Sequence, residues 1–249
     1  CTGGLSYPGT GSTGDGYRFA RKLGLEVTPL HPSLVPILCR DACCAEMMGL
    51  SLKNTRLTVT LEGSTKPVYE DFGEMLFTHF GVSGPVILSA SSHMKDMRDG
   101  KYSIEIDLKP GLTDEKLDAR ILRDFGENAN KSIANALSKL LPSKLIPVIV
   151  RLSEIPTDMK VNQITKDMRH DLVYLLKHFT VNVESFRSLD EAIVTSGGVS
   201  VKEINPKTMQ STICENLYFA GEVIDVDAYT GGFNLQIAFS TGVLAGKSV

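Results

Sequence analysis

Apolar and polar residues alternate in two segments in the middle of the chain, residues 55–62 and 102–108. A period of two is typical of antiparallel strands that bury one face and leave the other in water. Val181 and Val183 resume the alternation later, so the chain is expected to return to the same sheet. The pattern predicts a small barrel or sandwich. Two further strands are predicted at residues 75–80 and 86–89, around a glycine-rich turn.

Between these strands the hydrophobic period becomes that of amphipathic helices. Thr113 is predicted to cap a first helix, which Gly126 is expected to close. Residues 132–141 and 165–178 show the same period, and Pro142 ends the former segment. These segments predict a small helical subdomain.

The beginning of the chain predicts a helix followed by a short strand. Residues 12–15 offer hydroxyl and carboxylate groups that cap a helix N-terminus, and Gly24 is expected to end that helix. Residues 25–27 are predicted as the strand. Three prolines between residues 29 and 36 then indicate a crossing into another domain.

The last part of the chain has the layout of a nucleotide-binding α/β unit. Residues 216–220 form a short apolar run, predicted as a buried parallel strand that ends at Gly221 and Glu222. After a loop, Gly231 and Gly232 are predicted to open a long helix. Strand, acid-bearing turn, glycine pair and helix in this order indicate a nucleotide site.

Length and charge narrow the class of protein. A chain of 249 residues fits one large or two small domains. Lys and Arg number 26 against 29 Asp and Glu, so the net charge of −3 gives no electrostatic footprint for nucleic acid or an anionic membrane. The apolar runs are shorter than the roughly 18 residues of a membrane span, and the start has no signal-peptide pattern. A cytoplasmic protein is therefore expected, with its five cysteines reduced and with no metal site.

One glycine motif near the start is interpreted as a decoy. Residues 9–14 spell G-x-G-x-x-G, but a dinucleotide fingerprint needs a preceding strand and an acid about twenty residues further on. Both are missing here, because residues 5–8 contain a proline and residues 32–34 carry no acid. Asp15 also stands where a phosphate-binding P-loop requires Lys.

Glu222 and the glycine pair are the candidate chemistry of the chain. A carboxylate at a strand end can accept hydrogen bonds from ribityl or ribose hydroxyls, and Gly231 and Gly232 let a planar ligand approach backbone N–H groups. The positive end of the helix can stabilise negative charge on a reduced flavin. Spacing alone leaves open the alternative of a glycine-rich turn that binds nothing. The histidines of the chain, among them His79 and His93, are interpreted as structural side chains.

Long motifs of this chain lie at residues 2–8, 11–16, 34–36, 77–85, 192–199, 216–222 and 229–236. They resemble the NAD(P)/FAD-dependent oxidoreductases of the BaiN and aminoacetone-oxidase-like group. The resemblance extends over essentially the whole chain, and a similar pairing of Thr-Gly-Gly with Gly-Asp-Gly occurs in fumarate-reductase-type flavoproteins. The family's opening unit, with its own G-x-G-x-x-G, is not found in this sequence. Because the chain also starts without Met, it is interpreted as an excised fragment.

The resemblance implies a mixed fold, α+β or α/β, built around a partial Rossmann-like FAD-binding domain. That domain is interrupted by a β-barrel insert and a small helical subdomain. The implied boundaries are residues 1–34 and 191–249 for the FAD domain, 35–110 and 179–190 for the barrel, and 111–178 for the helices. The residues implied to contact FAD are Thr2, Gly3, Gly4, Gly221, Glu222, Thr230, Gly231, Gly232, Phe233, Asn234 and Leu235.

The implied activity is hydride or electron transfer through FAD in the full-length protein, with NAD(P)H as a possible donor and the fragment alone inactive. No catalytic acid or base is identified, and the substrate is an unidentified small molecule. Two alternatives stay open: a binding or interaction module that has lost redox chemistry, and a flavin-dependent RNA-modifying enzyme. The charge balance counts against RNA. The fragment is also expected to self-associate, through the unpaired edge of the strand at residues 216–220.

Overall fold

The computed structural model describes residues 2–249. Within it the chain divides into two compact units. The first contains the residues up to Ile37 together with Ile87–Lys95 and Phe186–Val249, and the second contains Leu38–Val86 and Asp96–Ser185. The finer three-part division implied by the resemblance stays a prediction.

The described residues form eight strands and eight α-helices, joined by loops and short 3-10 turns. The strands are β1 (His31–Ser33), β2 (Ile37–Cys39), β3 (Ser51–Leu61), β4 (Pro67–Thr78), β5 (Gly81–Ser83), β6 (Tyr102–Asp107), β7 (Phe179–Phe186) and β8 (Val194–Ser196). The helices are α1 (Asp15–Lys22), α2 (Cys43–Glu46), α3 (Pro85–Ser91), α4 (Asp114–Glu127), α5 (Ile133–Ala136), α6 (Leu145–Leu152), α7 (Lys166–Lys177) and α8 (Phe233–Ser248).

Six strands close a barrel in the order β2, β5, β4, β3, β6, β7. The alternation read from the sequence explains it, because alternate residues of β6, of β7 and of β3 from Thr55 onward point inward and are mostly buried. Facing pairs such as Leu57 and Ile106 lie in register, and Phe77 meets Phe179 edge to face at 6.3 Å between ring centroids. The predicted barrel and the strands around residues 55–62 and 102–108 are thus confirmed.

The strand predicted at residues 86–89 is wrong, because these residues belong to α3. Pro85 opens the helix, where its fixed φ suits the first turn and its missing N–H costs nothing. Val86, Ile87 and Ala90 are all buried, at the spacing of one helical face. An apolar run this short has no period that separates strand from helix, so sequence pattern could not decide.

The predicted helical segment contains α4 to α7. The cap predicted at Thr113 is confirmed, because its side chain accepts a hydrogen bond from the N–H of Lys116. Thr165 caps α7 in the same way, through the N–H of Met168. Gly126 lies inside α4 rather than ending it. Residues 132–141 form the short α5 and a 3-10 turn, not one helix. The apolar α6 follows and buries most of its surface.

In the first unit, β1 pairs with β8, and α1 and α8 pack on a shared core of apolar side chains. The strand predicted at residues 216–220 is wrong: it makes a single antiparallel bridge, from Tyr218 to Gln210. Asn216 has φ +58, which turns the chain sharply where a strand would have to run straight. The strand predicted at residues 25–27 likewise reduces to one bridge, from Val27 to Val199.

Residues 2–249 lack two features, a membrane-spanning helix and a cluster of metal-ligating side chains. None of the helices found there is long and apolar enough to cross a membrane. Over the same residues, His, Cys, Asp and Glu side chains form no group of three or more that could hold a metal ion.

Candidate functional site

Glu222 lies at the centre of a hydrogen-bond cluster in the first unit. Its Oε1 accepts hydrogen bonds from the Ser6 hydroxyl and from the backbone N–H of Thr195, both at 2.7 Å. Among the described residues, Oε2 of the same carboxylate has no hydrogen-bond partner. The side chain is half-buried, so one oxygen is held in place while the other can still accept a donor.

Thr195 connects the beginning of the chain with this carboxylate through hydrogen bonds. Its buried hydroxyl oxygen accepts hydrogen bonds from the N–H groups of Leu5 at 2.8 Å and Ser6 at 3.0 Å. A Cβ on Gly4 would lie 2.5 Å from Oε1 of Glu222 and 2.6 Å from Oγ1 of Thr195. The absence of a side chain at position 4 is therefore required by packing within the chain, independently of any ligand.

Thr2 and Gly3 belong to the same close-packed start. A Cβ on Gly3, where φ is +61, would lie 2.4 Å from Oγ of Ser12. A Cβ on Gly16 would meet Oγ1 of Thr2 at 2.5 Å. Of the predicted residues at the start of the chain, the structure brings Gly4 beside Glu222, whereas Gly3 packs on Ser12 and Thr2 on Gly16. The two predicted glycines thus have a structural reason of their own.

Tyr17 is hydrogen-bonded to the backbone of Glu222. Its side chain is almost fully buried, and its hydroxyl donates a hydrogen bond to the backbone oxygen of Glu222 at 3.1 Å. Burial, followed by the negative charge of Glu222, raises the pKa of Tyr17 to about 12. The phenol therefore stays protonated and remains a donor over the physiological range.

Gly221 packs against the middle of α8. Its N–H donates a hydrogen bond to Oγ1 of Thr241 at 2.9 Å, and a Cβ on it would lie 3.6 Å from that of Ala238. The helix begins eight residues before Thr241, which corresponds to about 12 Å along its axis. Glu222 and the start of α8 are thus two separate places, and only an extended ligand reaches both.

The start of α8 is open. Gly231 and Gly232 have φ values of +107 and +91, and no side chain caps the helix. A Cβ on Gly232 would meet nothing within 4 Å, and the neighbouring side chains of Phe233 and Leu235 are exposed. The first N–H groups of a helix lack intrahelical partners, so this end presents free donors and partial positive charge to a ligand. Thr230, half-buried, precedes the glycine pair.

Asn234 has a structural role that the sequence did not indicate. Its Oδ1 accepts a hydrogen bond from the N–H of Ala228 at 2.8 Å, and its Nδ2 donates to the carbonyl of Ala228 at 2.7 Å. Asp227 in the same loop accepts hydrogen bonds from Ser33 and Ser196, at 2.8 and 3.0 Å. The loop before α8 is therefore anchored at Asp227 and Ala228, which holds the open helix start in a defined position.

His93 and Tyr229 form a pair that the sequence analysis missed. Nε2 of His93 lies 2.7 Å from the hydroxyl of Tyr229, and the rings stack with centroids 5.6 Å apart. Tyr229 stands two residues before the glycine pair, so its hydroxyl belongs to the loop at the helix start. The two residues are 136 positions apart, and no local pattern connects them.

The cysteines near α2 take no part in this cluster. Hydrogen bonding to Cys44, and then burial, raise the pKa of the Cys43 thiol, and a hydrogen bond to Cys39 raises that of Cys44. Thiols with raised pKa values are poor nucleophiles at neutral pH. They act as small core side chains.

Comparison with protein families identifies the group to which this chain belongs. The family model described as HI0933-like protein barrel and H2TH domain matches residues 31–194, which include the barrel strands and α4 to α7. The chain belongs to the HI0933-like family. The resemblance to BaiN-like FAD-dependent oxidoreductases that the motifs indicated is thereby confirmed.

Three curated relatives are similar over nearly the whole chain. A 3-dehydro-bile acid delta(4,6)-reductase from Clostridium scindens is 31% identical over 99% of this chain and 60% of its own length. Ribosomal RNA dihydrouridine synthases from Haemophilus influenzae and Escherichia coli are 32% and 33% identical, over 100% and 96% of this chain. They are covered over 59% and 57% of their lengths, so the chain spans about three fifths of the relatives it matches.

Proposed function

We propose that the full protein is a flavin-dependent reductase that binds FAD along α8, between Glu222 and the open helix start. The observation that carries the proposal is that the turn bearing Glu222 packs against α8, so one helix connects the carboxylate with the open helix start. Membership of a flavoprotein family supports it. FAD, when bound, supplies the hydride, and NAD(P)H is the proposed source of the electrons.

The residues present fit such a group. Oε2 of Glu222 is available to accept hydrogen bonds from ligand hydroxyls, while Oε1 keeps the carboxylate oriented through Ser6 and Thr195. Gly232 leaves open space over the first N–H groups of α8, whereas a Cβ on Gly231 would lie 3.6 Å from the ring of Phe233. Those donors would stabilise negative charge that develops on a flavin ring during reduction.

The substrate class follows from what the relatives' names have in common. A delta(4,6)-reductase acting on a 3-dehydro-bile acid and a dihydrouridine synthase both reduce carbon–carbon double bonds. In each case a ring carbonyl is conjugated to the double bond. Two-electron reduction of such a bond adds a hydride to the carbon distal to the carbonyl and a proton to the nearer one. We propose a conjugated carbonyl compound as the substrate of this protein.

Tyr229 is the proposed proton source. Its hydroxyl lies at the loop beside the helix start, and the contact at 2.7 Å with Nε2 of His93 provides a group that can return the proton after each turnover. The roles are then divided: Glu222 and the glycines bind, and Oη of Tyr229 gives up the proton. Tyr229→Phe should leave flavin binding unchanged and slow product formation by about 100-fold or more.

RNA is a second candidate substrate, because two of the similar relatives are named for a product in ribosomal RNA. Uracil is itself a conjugated carbonyl compound, so the same chemistry serves both substrates. A binding module without redox chemistry is the third reading. Anaerobic incubation with NADPH, offering either a 3-oxo-4-ene steroid or uridine-containing RNA, separates the three. If mass spectrometry finds that neither the steroid nor the RNA has been reduced, the binding module is favoured.

The flavin site is tested with two matched glycine variants. Gly232→Val and Gly11→Val place the same side chain at positions with φ +91 and +94, each with nothing within 4 Å. Backbone strain is therefore similar in both. Flavin absorbance after purification of the full-length protein should fall in the Gly232 variant alone. Equal flavin content in both variants would overturn the proposed site.

A further inference from the structure

The charges of the chain are unevenly distributed. Residues 109–178 carry twelve Lys and Arg against nine Asp and Glu, whereas the rest of the chain carries fourteen against twenty. The net charge of −3 therefore averages a cationic segment with an acidic remainder. The net charge of the whole chain therefore does not exclude a polyanionic partner for the helical part of the second unit.

The cationic charge of this segment is concentrated along one side of α4. An open cleft of about 320 Å³ is lined there by Lys116, Arg120 and Arg123, with Leu112 and Ala119 as its apolar wall. The three cations recur at intervals of four and three residues, which places them on one helical face. Leu117 and Ile121 hold the opposite face in the core.

Two further cations stand beside Leu112. Nζ of Lys177 donates a hydrogen bond to the carbonyl of Leu112 at 2.7 Å, and it forms an ion pair with Asp107 at 2.6 Å. Burial, and then the positive charge of Arg120, lower the pKa of Lys109. Lys109 and Arg120 thus lie close enough to repel each other, which would be relieved by a bound anion.

The acids close to these cations are fewer. Asp107 pairs with Lys177, and Asp124 pairs with Arg120 at 2.7 Å and lies 3.8 Å from Arg123. Lys109 and Lys177 do not line the cleft, because their Nζ atoms donate hydrogen bonds to the carbonyls of Leu140 and Leu112. The three cations that line it face one carboxylate, Asp124, which leaves an excess of two positive charges, and Glu127 on the same face is paired with Lys139. Fixed cations lining an open cleft are the electrostatic requirement for holding successive phosphates.

The other side of the same helix pair has the opposite sign. A larger cleft of about 530 Å³ is lined by Asp114, Glu115, Asp118, His170 and Asp171. Arg169 neutralises only Asp118, through two hydrogen bonds. A polyanion approaching the helices is therefore repelled from one side and attracted to the other, which gives its binding a direction.

We infer that the cationic cleft on α4 binds the phosphodiester backbone of an RNA substrate. The inference rests on the RNA candidate of the proposed function. Arg and Lys at helical spacing with aliphatic walls suit backbone contacts, which set position rather than sequence. An extended partner is required, because phosphates must lie along about two turns of helix.

The test compares two double variants of the full-length protein. Lys116→Ala with Arg123→Ala removes two exposed cleft cations and leaves Arg120 on the buried Asp124. Lys202→Ala with Lys207→Ala removes two exposed cations from the first unit and keeps the total charge equal. Circular dichroism confirms that both fold, and fluorescence anisotropy measures binding of a labelled uridine-rich RNA hairpin over a range of salt concentrations.

The cleft variant should bind the hairpin roughly tenfold more weakly near physiological salt. The slope of log K against log salt concentration should become less steep by about 1.4, the value for two single-stranded phosphate contacts. The control should match wild type. Equal weakening in both variants, or wild-type binding to anionic lipid vesicles or inorganic phosphate but not to RNA, would overturn the inference. Binding is measured without flavin or reductant, so it is decided separately from the reductase activity.

Discussion

Replacement of Glu222 by Ala should destabilise the first unit whether or not a ligand is bound. The carboxylate accepts two hydrogen bonds at 2.7 Å, one from the hydroxyl of Ser6 and one from the N–H of Thr195. Both donors are buried, at 5% and 1% exposure, so the variant leaves them without an acceptor. Hydrogen bonds to a charged group contribute about 1.5–3 kcal/mol each, and Ser6 can regain part of its loss by rotation.

We therefore expect Glu222→Ala to lower the free energy of unfolding by about 3 kcal/mol. In a chain of this length that corresponds to a fall in Tm of roughly 6–12 °C. Glu222→Gln retains an oxygen in the position of Oε1, and it should lose only about 1 kcal/mol. Both values apply to the apo protein.

The chain has no Trp, so unfolding is best followed by far-UV circular dichroism in urea, with hydrogen exchange at Leu5, Ser6 and Thr195 to localise the effect. Glu215→Ala serves as the control, since Glu215 is exposed in the same unit. If Glu222→Ala unfolds at the same urea concentration as Glu215→Ala, the carboxylate does not organise the cluster.

Three further predictions follow from individual contacts. Asp118→Asn should lower the free energy of unfolding at pH 7 by about 2 kcal/mol, because the bidentate partner Arg169 lowers the pKa of the Asp118 carboxyl. In urea titrations, the difference in this free energy between variant and wild type should vanish as the pH falls below about 4. Gly197→Ala would place a Cβ 2.1 Å from the carbonyl oxygen of Pro29, so its Tm should fall well below that of Gly24→Ala, which has a similar φ and open space. We also propose that the chain self-associates through the exposed side of α8, so that Phe239→Ser, at a residue 65% exposed, reduces the sedimentation coefficient; an unchanged monomer in both proteins would refute this.

The basis of the proposed self-association differs from the one that the sequence suggested. An unpaired strand edge was expected at residues 216–220, but those residues turn at Asn216 and are not an extended strand. The exposed apolar surface lies instead on α8, where Phe233, Leu235 and Phe239 are each more than half exposed. A run of apolar residues identified the correct part of the chain but not the element that exposes them.

The sequence by itself determined the elements with a regular period or a clear cap. Strict alternation fixes which face of β3 and β6 is buried, and the hydroxyls of Thr113 and Thr165 determine where α4 and α7 begin. The glycine pair before α8 is of the same kind, because a positive φ at a helix start favours glycine. Such features depend on a few neighbouring residues, so they can be read locally.

Tertiary structure alone decided which distant residues meet. Ser6 contacts Glu222 across 216 positions, and His93 contacts Tyr229 across 136. No local pattern specifies either pair, because each depends on how separate segments pack into one unit. Charge is an intermediate case: the spacing of Lys116, Arg120 and Arg123 places them on one face of a predicted helix, but only the packing of α4 with α7 gathers the acids in a separate cleft. Electrostatic attraction depends on distance in space, so the placement of the charges, not their sum, determines what this surface can bind.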